Sequence, residues 1–416
     1  MVAMNIRQVG CGAALGVLLT VAGCGDSYQA PQLSFTPFER SFALSAADFN
    51  GDGLVDVLDG RTLHQPMSPF ESGSLNLYLH NAGAGTGYAA ATSTPDGIEP
   101  LYLATADINK DGLPDVVSAS DDDGQLSVYL SQIAAPGTFA PVLQLASPGA
   151  SQLVIADLNG DGLPDLVSAD YAVNVFVQDA AHPGTFLAPL SLSGGGASWV
   201  ATGDLNDDGL PDLVVTDASG VKVYYHSAIV TDASFQTPPL TVFTQTPNQA
   251  FLAANYVAVT DLDGDGADDM VITDPGPYGP TPPTINVLLQ SPLTPGTFQA
   301  PVSFSLPYGH VARSLVLADL NGDGHPDVVV GDDSGVNVLL QNPSPLGSFA
   351  AASYYTTPNG AFQVAVADIN DDGLPDIVTT NSATAPLTSG TYTTQPGVLL
   401  QSTTAPGTFT AIQNLP

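Results

Sequence analysis

Oxygen-bearing side chains two residues apart, followed by a glycine, recur seven times in this chain. The plainest copy is Asp157-Leu-Asn-Gly-Asp-Gly-Leu-Pro-Asp165, with carboxylate or amide oxygens at positions 1, 3, 5 and 9 and glycine at position 6. The alternation lets a tight loop turn its oxygens inward while the intervening residues face out. A calcium ion takes six to eight oxygen ligands at about 2.3–2.6 Å, and such loops need a glycine where the backbone turns sharply. The candidate ligands are Asp48, Asn50, Asp52 and Asp56; Asp107, Asn109, Asp111 and Asp115; Asp157, Asn159, Asp161 and Asp165; Asp204, Asn206, Asp208 and Asp212; Asp261, Asp263, Asp265 and Asp269; Asp319, Asn321, Asp323 and Asp327; and Asp368, Asn370, Asp372 and Asp376. The position-7 carbonyl is the expected fifth ligand, with water completing the shell. Magnesium suits these loops less well, because it prefers octahedral sites that retain several waters.

An EF-hand opens in the same way but requires a bidentate Glu at position 12 and flanking helices. Position 12 here holds Asp59, Ser118, Ser168, Val215, Ile272, Val330 and Thr379, and the flanks are strand-forming. Simple Asx turns account for one or two residues per loop, not for three carboxylates within nine. Free calcium tenfold above Kd adds about 1.4 kcal/mol per site. Seven independent sites then approach about 10 kcal/mol, the scale of a whole domain's net stability. The expected cofactor is therefore about seven structural Ca²⁺, which would also bring the net charge from −35 to −21. A catalytic metal is not expected, since closed all-oxygen sites leave no position for an activated water. The loops at Asp48, which lacks the proline, and at Asp261, which adds Asp268, are expected to differ in affinity.

The composition fits these loops. The 416 residues carry 41 acidic groups against 6 Lys and Arg, and all the acids but Glu39, Glu71 and Glu99 are Asp. With 44% hydrophobic residues the chain can bury a large core, so the charge does not signal disorder. A basic footprint for nucleic acid is lacking, and no nucleic-acid partner is expected.

The first residues read as a secretory signal, with Arg7 ahead of the apolar run Val9–Ala22. That run is shorter than the roughly 20 residues of a spanning helix. Val21-Ala22-Gly23-Cys24 resembles the bacterial lipobox, which implies lipidation at Cys24, an extracytoplasmic location and a membrane anchor. Gly25 at the next position permits sorting to the outer membrane or cell surface by the same resemblance. The expected division is a signal peptide at 1–23, a tether at 24–40 and a repeat domain at 41–416.

The repeat supplies the scaffold for the loops. Motif starts at Asp48, Asp107, Asp157, Asp204, Asp261, Asp319 and Asp368 recur every 47 to 59 residues, a period of solenoids and propellers. In the third copy, Leu153–Ala156, Asp165–Ala169, Asn174–Gln178 and Leu187–Leu192 read as four short strands separated by turn residues. Four-stranded units repeated radially hide their edges in a β-propeller. An all-β, seven-bladed propeller with one calcium loop per blade is the fold expected. Both Leu33–Glu39 and Gly407–Leu415 resemble an outer strand; the C-terminal copy is expected to complete blade 7, and the N-terminal one to serve as tether or latch.

With its Asp/Asn loops and turns such as Pro136-Gly-Thr-Phe-Ala-Pro141, the region 41–416 resembles the FG-GAP/VCBS repeat family, the propeller of integrin α-chains and many bacterial surface proteins. The resemblance implies calcium loops on one face and partner binding on the opposite one. On that face, Tyr102, Trp199, Tyr256 and Arg313 are the candidate ligand contacts, since aromatics and Arg dominate binding hot spots, and inter-blade packing is the competing role for them. Arg61 and His64, in the long insertion Asp59–Gly73, are further candidates, and a second insertion, Asn381–Gln395, is expected on the same face.

The six His are scattered, and neither a Gly-x-Ser-x-Gly elbow nor a phosphate loop is present. The expected function is that of a lipid-anchored, calcium-binding recognition scaffold, a monomer facing a glycan or protein partner, and not an enzyme. A carbohydrate-active enzyme using the same face and a purely structural surface module are the alternatives.

Overall fold

Each repeat folds as one antiparallel four-stranded sheet whose strands follow one another in chain order, and seven such sheets make the molecule. The computed structural model describes residues 38–64, 72–81, 87–97, 99–120, 124–169, 172–192, 196–217, 219–226, 235, 239–244, 256–274, 282–307, 311–358, 360–380, 395–410 and 413–415. Among these, all regular structure is β, as a seven-bladed propeller requires. The seven innermost strands are Phe38–Ala47, Pro100–Ala106, Gln152–Ala156, Trp199–Gly203, Val257–Thr260, Ala312–Ala318 and Val364–Ala367. Each lies beside the next, and the last returns to the first.

Burial changes across a blade in the way a radial stack demands. The second strands, such as Asp165–Ala169 and Asp327–Asp332, are buried along their whole length. They are covered on both faces by neighbouring blades, which is why they read as continuous apolar runs. Successive side chains face opposite ways: Leu166 packs with Ile108, Val117 and Val128 of blade 2, while Val167 packs with Val200, Leu213 and Val215 of blade 4. The outer strands, such as Val302–Ser305, are largely exposed. Seven apolar clusters fill the seams between adjacent blades, so the core is distributed around the ring.

The ring closes without strand exchange among the described residues. Gln413–Asn414 pairs with Gly397–Leu399, so the C-terminal stretch completes blade 7 as expected. The likeness of Leu33–Glu39 to an outer strand does not hold for its end. Phe38 and Glu39 pair with His64 and Leu63 at the start of blade 1's inner strand, which therefore takes the last three residues of the tether expected over 24–40. The rest of that stretch, the signal peptide and Cys24 lie outside the described residues. The closing seam holds Leu44, Val57, Tyr78 and Tyr88 of blade 1 against Ile369, Val378, Val398 and Leu415 of blade 7.

Two glutamines fasten inner strands to their neighbours. Gln363 Oε1 accepts the Leu44 N–H (2.8 Å) across the closing seam, and Gln152 Oε1 accepts the Val200 N–H (2.8 Å) between blades 3 and 4. Gln363→Ala leaves a buried N–H without a partner and is expected to cost about 1–3 kcal/mol, read as a lower melting temperature. Gln152→Ala, which breaks an internal seam, is the matched comparison.

Candidate metal loops and the central mouth

The glycine at position 6 lets the loop chain fold back on its own first side chain. Its φ lies between 84° and 94° in all seven copies, a left-handed region that costs other residues about 1–2 kcal/mol. In every loop the position-6 N–H then donates to Oδ2 of the position-1 Asp at 2.7–2.9 Å. The position-5 N–H donates to Oδ1 of the same Asp at 3.0–3.2 Å. The position-7 N–H donates to Oδ1 of the position-5 Asp. Position 4 is left-handed as well, and there Lys110 (φ 59°), Asp207 (59°) and Asp371 (60°) stand where the other loops have Gly. Lys110→Gly is therefore expected to raise stability by about 0.5–1 kcal/mol, measurable by denaturant unfolding.

Positions 1, 3 and 5 converge. In loop 5, Asp261, Asp263 and Asp265 each present an oxygen within 4.8 Å of the others. Two oxygens on one Ca²⁺ at about 2.4 Å can stand no more than about 4.8 Å apart, so this donor set fits that ion. Asp261 Oδ1 already accepts two N–H groups, from Gly264 and Asp265, whereas its Oδ2 accepts the Gly266 N–H alone and keeps a lone pair for an ion. Loop 4 departs from the pattern: Asn206 turns its amide to Asp212 Oδ1 (3.2 Å), and its own Oδ1 is buried without a partner.

The position-9 Asp has a role the spacing does not disclose. Asp56, Asp115, Asp165, Asp212, Asp269, Asp327 and Asp376 are all buried. Oδ2 accepts the position-2 N–H at 2.9–3.1 Å. Oδ1 accepts an N–H from the second residue past the third strand: His80, Ser131, Gln178, His226, Gln290, Gln341 or Gln401. Each carboxylate thus bolts the loop to the far turn of its blade. Burial pushes these carboxyls up against the pull of the backbone N–H bonds, with a smaller push from the neighbouring loop carboxylates, among them always the position-5 Asp. Asp56, Asp115, Asp165, Asp327 and Asp376 reach about 6, and Asp212 and Asp269 about 7.

Where Gln follows the third strand, its side chain doubles the bolt. In blade 3, Gln178 Nε2 donates to Pro164 O (2.7 Å) and Oε1 accepts the Gly184 N–H (2.8 Å) of the Pro-Gly-Thr-Phe turn. Gln290, Gln341 and Gln401 repeat this clip. The recurrence of this Gln six residues before the turn glycine was the signal available in the sequence. Asp268 links two loops, its Oδ2 accepting the Asp204 N–H at 2.9 Å. Position 12 lies inside the buried second strand, away from the loop oxygens.

The other end of the inner strands builds a different site. Trp199 precedes Asp204 by five residues, which at about 3.3 Å each places it some 16 Å from the loop. A cavity of about 450 Å³ gathers Tyr102, Trp199, Tyr256 and Arg313, the four aromatic and cationic candidates, from blades 2, 4, 5 and 6. Phe42, Gln152 and Phe362 bring in the remaining three blades. Trp199 stands edge-on to Tyr102 (5.3 Å, 90°) and steeply against Tyr256 (4.6 Å, 68°), and its Nε1 donates to Val257 O (3.1 Å). Burial pushes the Tyr102 and Tyr256 hydroxyls up to about 12. The Arg313 guanidinium lies 5.2 Å from the Phe362 ring centroid.

Arg61 is not part of this site. It sits in the second strand of blade 1, Asp56–His64, bound to the buried Asp59 carboxylate and the Tyr78 hydroxyl. Its charge is spent on a buried acid, because position 12 in this blade is Asp. His64 ends the same strand, opposite Phe38. The insertion expected over Asp59–Gly73 is thus in part a longer hairpin, and residues 381–394 of the second insertion lie outside the described residues.

The FG-GAP-like repeat profile matches five successive stretches, 107–168, 157–215, 204–272, 261–330 and 319–379. Human integrin alpha-7 is 30% identical over 93 residues, 21% of this chain, and the match spans 8% of that protein's length. Among solved structures, a protein from Lactobacillus plantarum superposes with a TM-score of 0.53 at 16% identity, covering 86% of this chain and 95% of that one. An Agrocybe aegerita lectin that specifically recognises non-reducing terminal N-acetylglucosamine superposes with a TM-score of 0.50 at 19% identity, covering 77% and 81%. These likenesses show the fold.

Proposed function

The chain belongs to the FG-GAP-like repeat family, and from that premise we propose that it is a calcium-stabilised recognition scaffold whose central mouth receives a glycan or protein partner. The observation that carries the reading is the convergence of Tyr102, Trp199, Tyr256 and Arg313 from four blades into one cavity. Large, stiff aromatics and Arg are the residues that concentrate binding energy. A lectin of the same fold supports a glycan end as one class of partner. The residues lining the cavity include no carboxylate and no histidine among those described, so the acid–base pair of a glycosidase is not assembled there. That favours binding over hydrolysis.

Calcium would be held by the side chains at positions 1, 3 and 5, the position-7 carbonyl and the free lone pairs of the position-9 Asp in each of about seven loops. When bound, the ion neutralises carboxylates that the fold presses together. The lipobox-like Val21-Ala22-Gly23-Cys24 supports an extracytoplasmic anchor at Cys24, which loss of fatty-acid labelling in Cys24→Ser would reveal.

The test of the mouth is retention on glycan and cell-surface protein arrays by the calcium-loaded chain. Tyr256→Ala is expected to lower retention at least tenfold, since hot-spot truncations cost about 2 kcal/mol or more. Leu293→Ser, at an exposed turn far along the chain, should retain normally. Equal retention by Tyr256→Ala, or none by the wild type, would sink the reading.

A further inference from the structure

Arg313 is an unusual expenditure in this molecule. It is one of only six Lys and Arg in a chain of net charge −35, yet its guanidinium makes no hydrogen bond or ion pair among the described residues. Its Nε is buried without a partner, and so is the neighbouring Ser314 Oγ, both on the lining of the central cavity. By contrast, Arg61 and Lys222 are each bound to an Asp of their own blade, Asp59 and Asp217. A buried donor left unmade costs about 1–3 kcal/mol, and an Arg fork is shaped to hold a planar oxyanion through two parallel bonds. Beside it, Trp199, Tyr256 and Phe362 offer apolar faces and edges.

We infer that the central mouth takes the end of a saccharide bearing a single oxyanion, with Arg313 gripping the anion and the aromatic wall receiving the sugar ring. This rests on the binding role proposed above for the same cavity. Size and field both select a chain end. About 450 Å³ admits one or two sugar rings, not a polymer laid lengthwise. A polyanion would meet a molecule of the same sign, whereas the field of distant carboxylates is screened beyond about 8 Å at physiological salt. The loop carboxylates lie about 16 Å away along the inner strands. Nearer acids stay outside the lining: Asp332, paired with Ala312, is buried and accepts the Ser334 and Gly335 N–H groups and Asn337 Nδ2, and Asp333 accepts the Val311 N–H. Within the cavity lining Arg313 is the one charged residue among those described.

Trp199 is the single tryptophan of the chain, so its emission reports on the site directly. The calcium-loaded full chain is titrated with methyl glucuronide, galactose 6-sulfate, methyl glucoside and a short neutral peptide with a free C-terminal carboxylate. At least one acidic sugar is expected to bind tenfold or more tightly than methyl glucoside, and the two acidic arms distinguish carboxylate from sulfate. Arg313→Gln is expected to weaken the acidic sugar tenfold to a hundredfold and the glucoside by much less, so that the preference for the acidic sugar collapses. Arg313→Lys should restore part of the preference. Equal binding of acidic and neutral sugars, an undiminished preference in Arg313→Gln, or tighter binding of the peptide than of any sugar would overturn the inference while leaving a binding mouth intact. If array retention is also indifferent to Tyr256→Ala, the binding role itself fails.

Discussion

Stripping calcium with a chelator is expected to lower the melting temperature by about 20 °C, and adding calcium back should restore it in a concentration-dependent way. The size follows from mass action. At free calcium tenfold above Kd each loop contributes about 1.4 kcal/mol, and about seven loops approach 10 kcal/mol. In a large domain each kcal/mol moves the midpoint by about 2 °C. The physical cause is visible in the loops: Asp261, Asp263 and Asp265 bring their oxygens within 4.8 Å of one another, with no cation of the chain beside them among the described ion pairs. An unchanged melt in chelator would remove calcium from the account.

The same experiment carries a pH signature. The seven position-9 carboxyls stand at about 6 to 7 in the folded metal-free chain, above their usual 3.8, chiefly through burial. A folded carboxyl that holds its proton more tightly than the unfolded one favours folding while protonated. That contribution is complete below about pH 4 and is lost as pH climbs through 6 to 7. The chelated protein is thus expected to melt lower at pH 8 than at pH 5. Calcium should flatten this dependence, because it competes with the protons for the same cluster. A chelated melt that rises from pH 5 to pH 8 would contradict the assignment.

What the sequence disclosed and what it hid divide along a physical line. The loops, the glycine at position 6, the seven-fold repeat and the four strands per blade were legible because each is a local pattern: oxygen spacing, a left-handed turn, apolar runs between breakers. The convergence of Tyr102, Trp199 and Tyr256 was legible too, since each lies five residues before its loop and so at one height on the ring; Arg313, six before its loop, joins them where the strand register shifts between Ala312 and Ser314. The pairing of Arg61 with Asp59 was not, because a strand hairpin and an exposed insertion share the same polar composition. Nor was the closure by Gln363 onto Leu44, 319 residues away in sequence, which depends on the ring existing at all. The position-9 Asp was read only as a ligand because its partners, such as the Gln178 N–H, come from a turn whose sequence bears no acidic mark.

That last residue offers the sharpest separation of scaffold from metal site. Asp165→Ala is expected to cost about 3–5 kcal/mol whether or not calcium is present, because the buried N–H groups of Leu158 and Gln178 both lose their acceptor. Asp161→Ala, at the exposed position 5 of the same loop, removes the acceptor of the Leu163 N–H and of the Asn159 amide, neither of them deep in the core. In chelator it should shift stability by no more than about 0.5–1 kcal/mol. In calcium it forfeits the loop's ion as well, about 1.4 kcal/mol more at tenfold saturation. Unfolding by denaturant in both buffers therefore gives four numbers with a definite order. Asp165→Ala must be severe in both columns, and Asp161→Ala must be mild in one and larger in the other. If Asp161→Ala shows the same cost with and without calcium, the convergent oxygens serve only to cap the turn. If Asp165→Ala becomes mild in chelator, the ninth carboxylate matters through the ion rather than as a bolt between loop and turn.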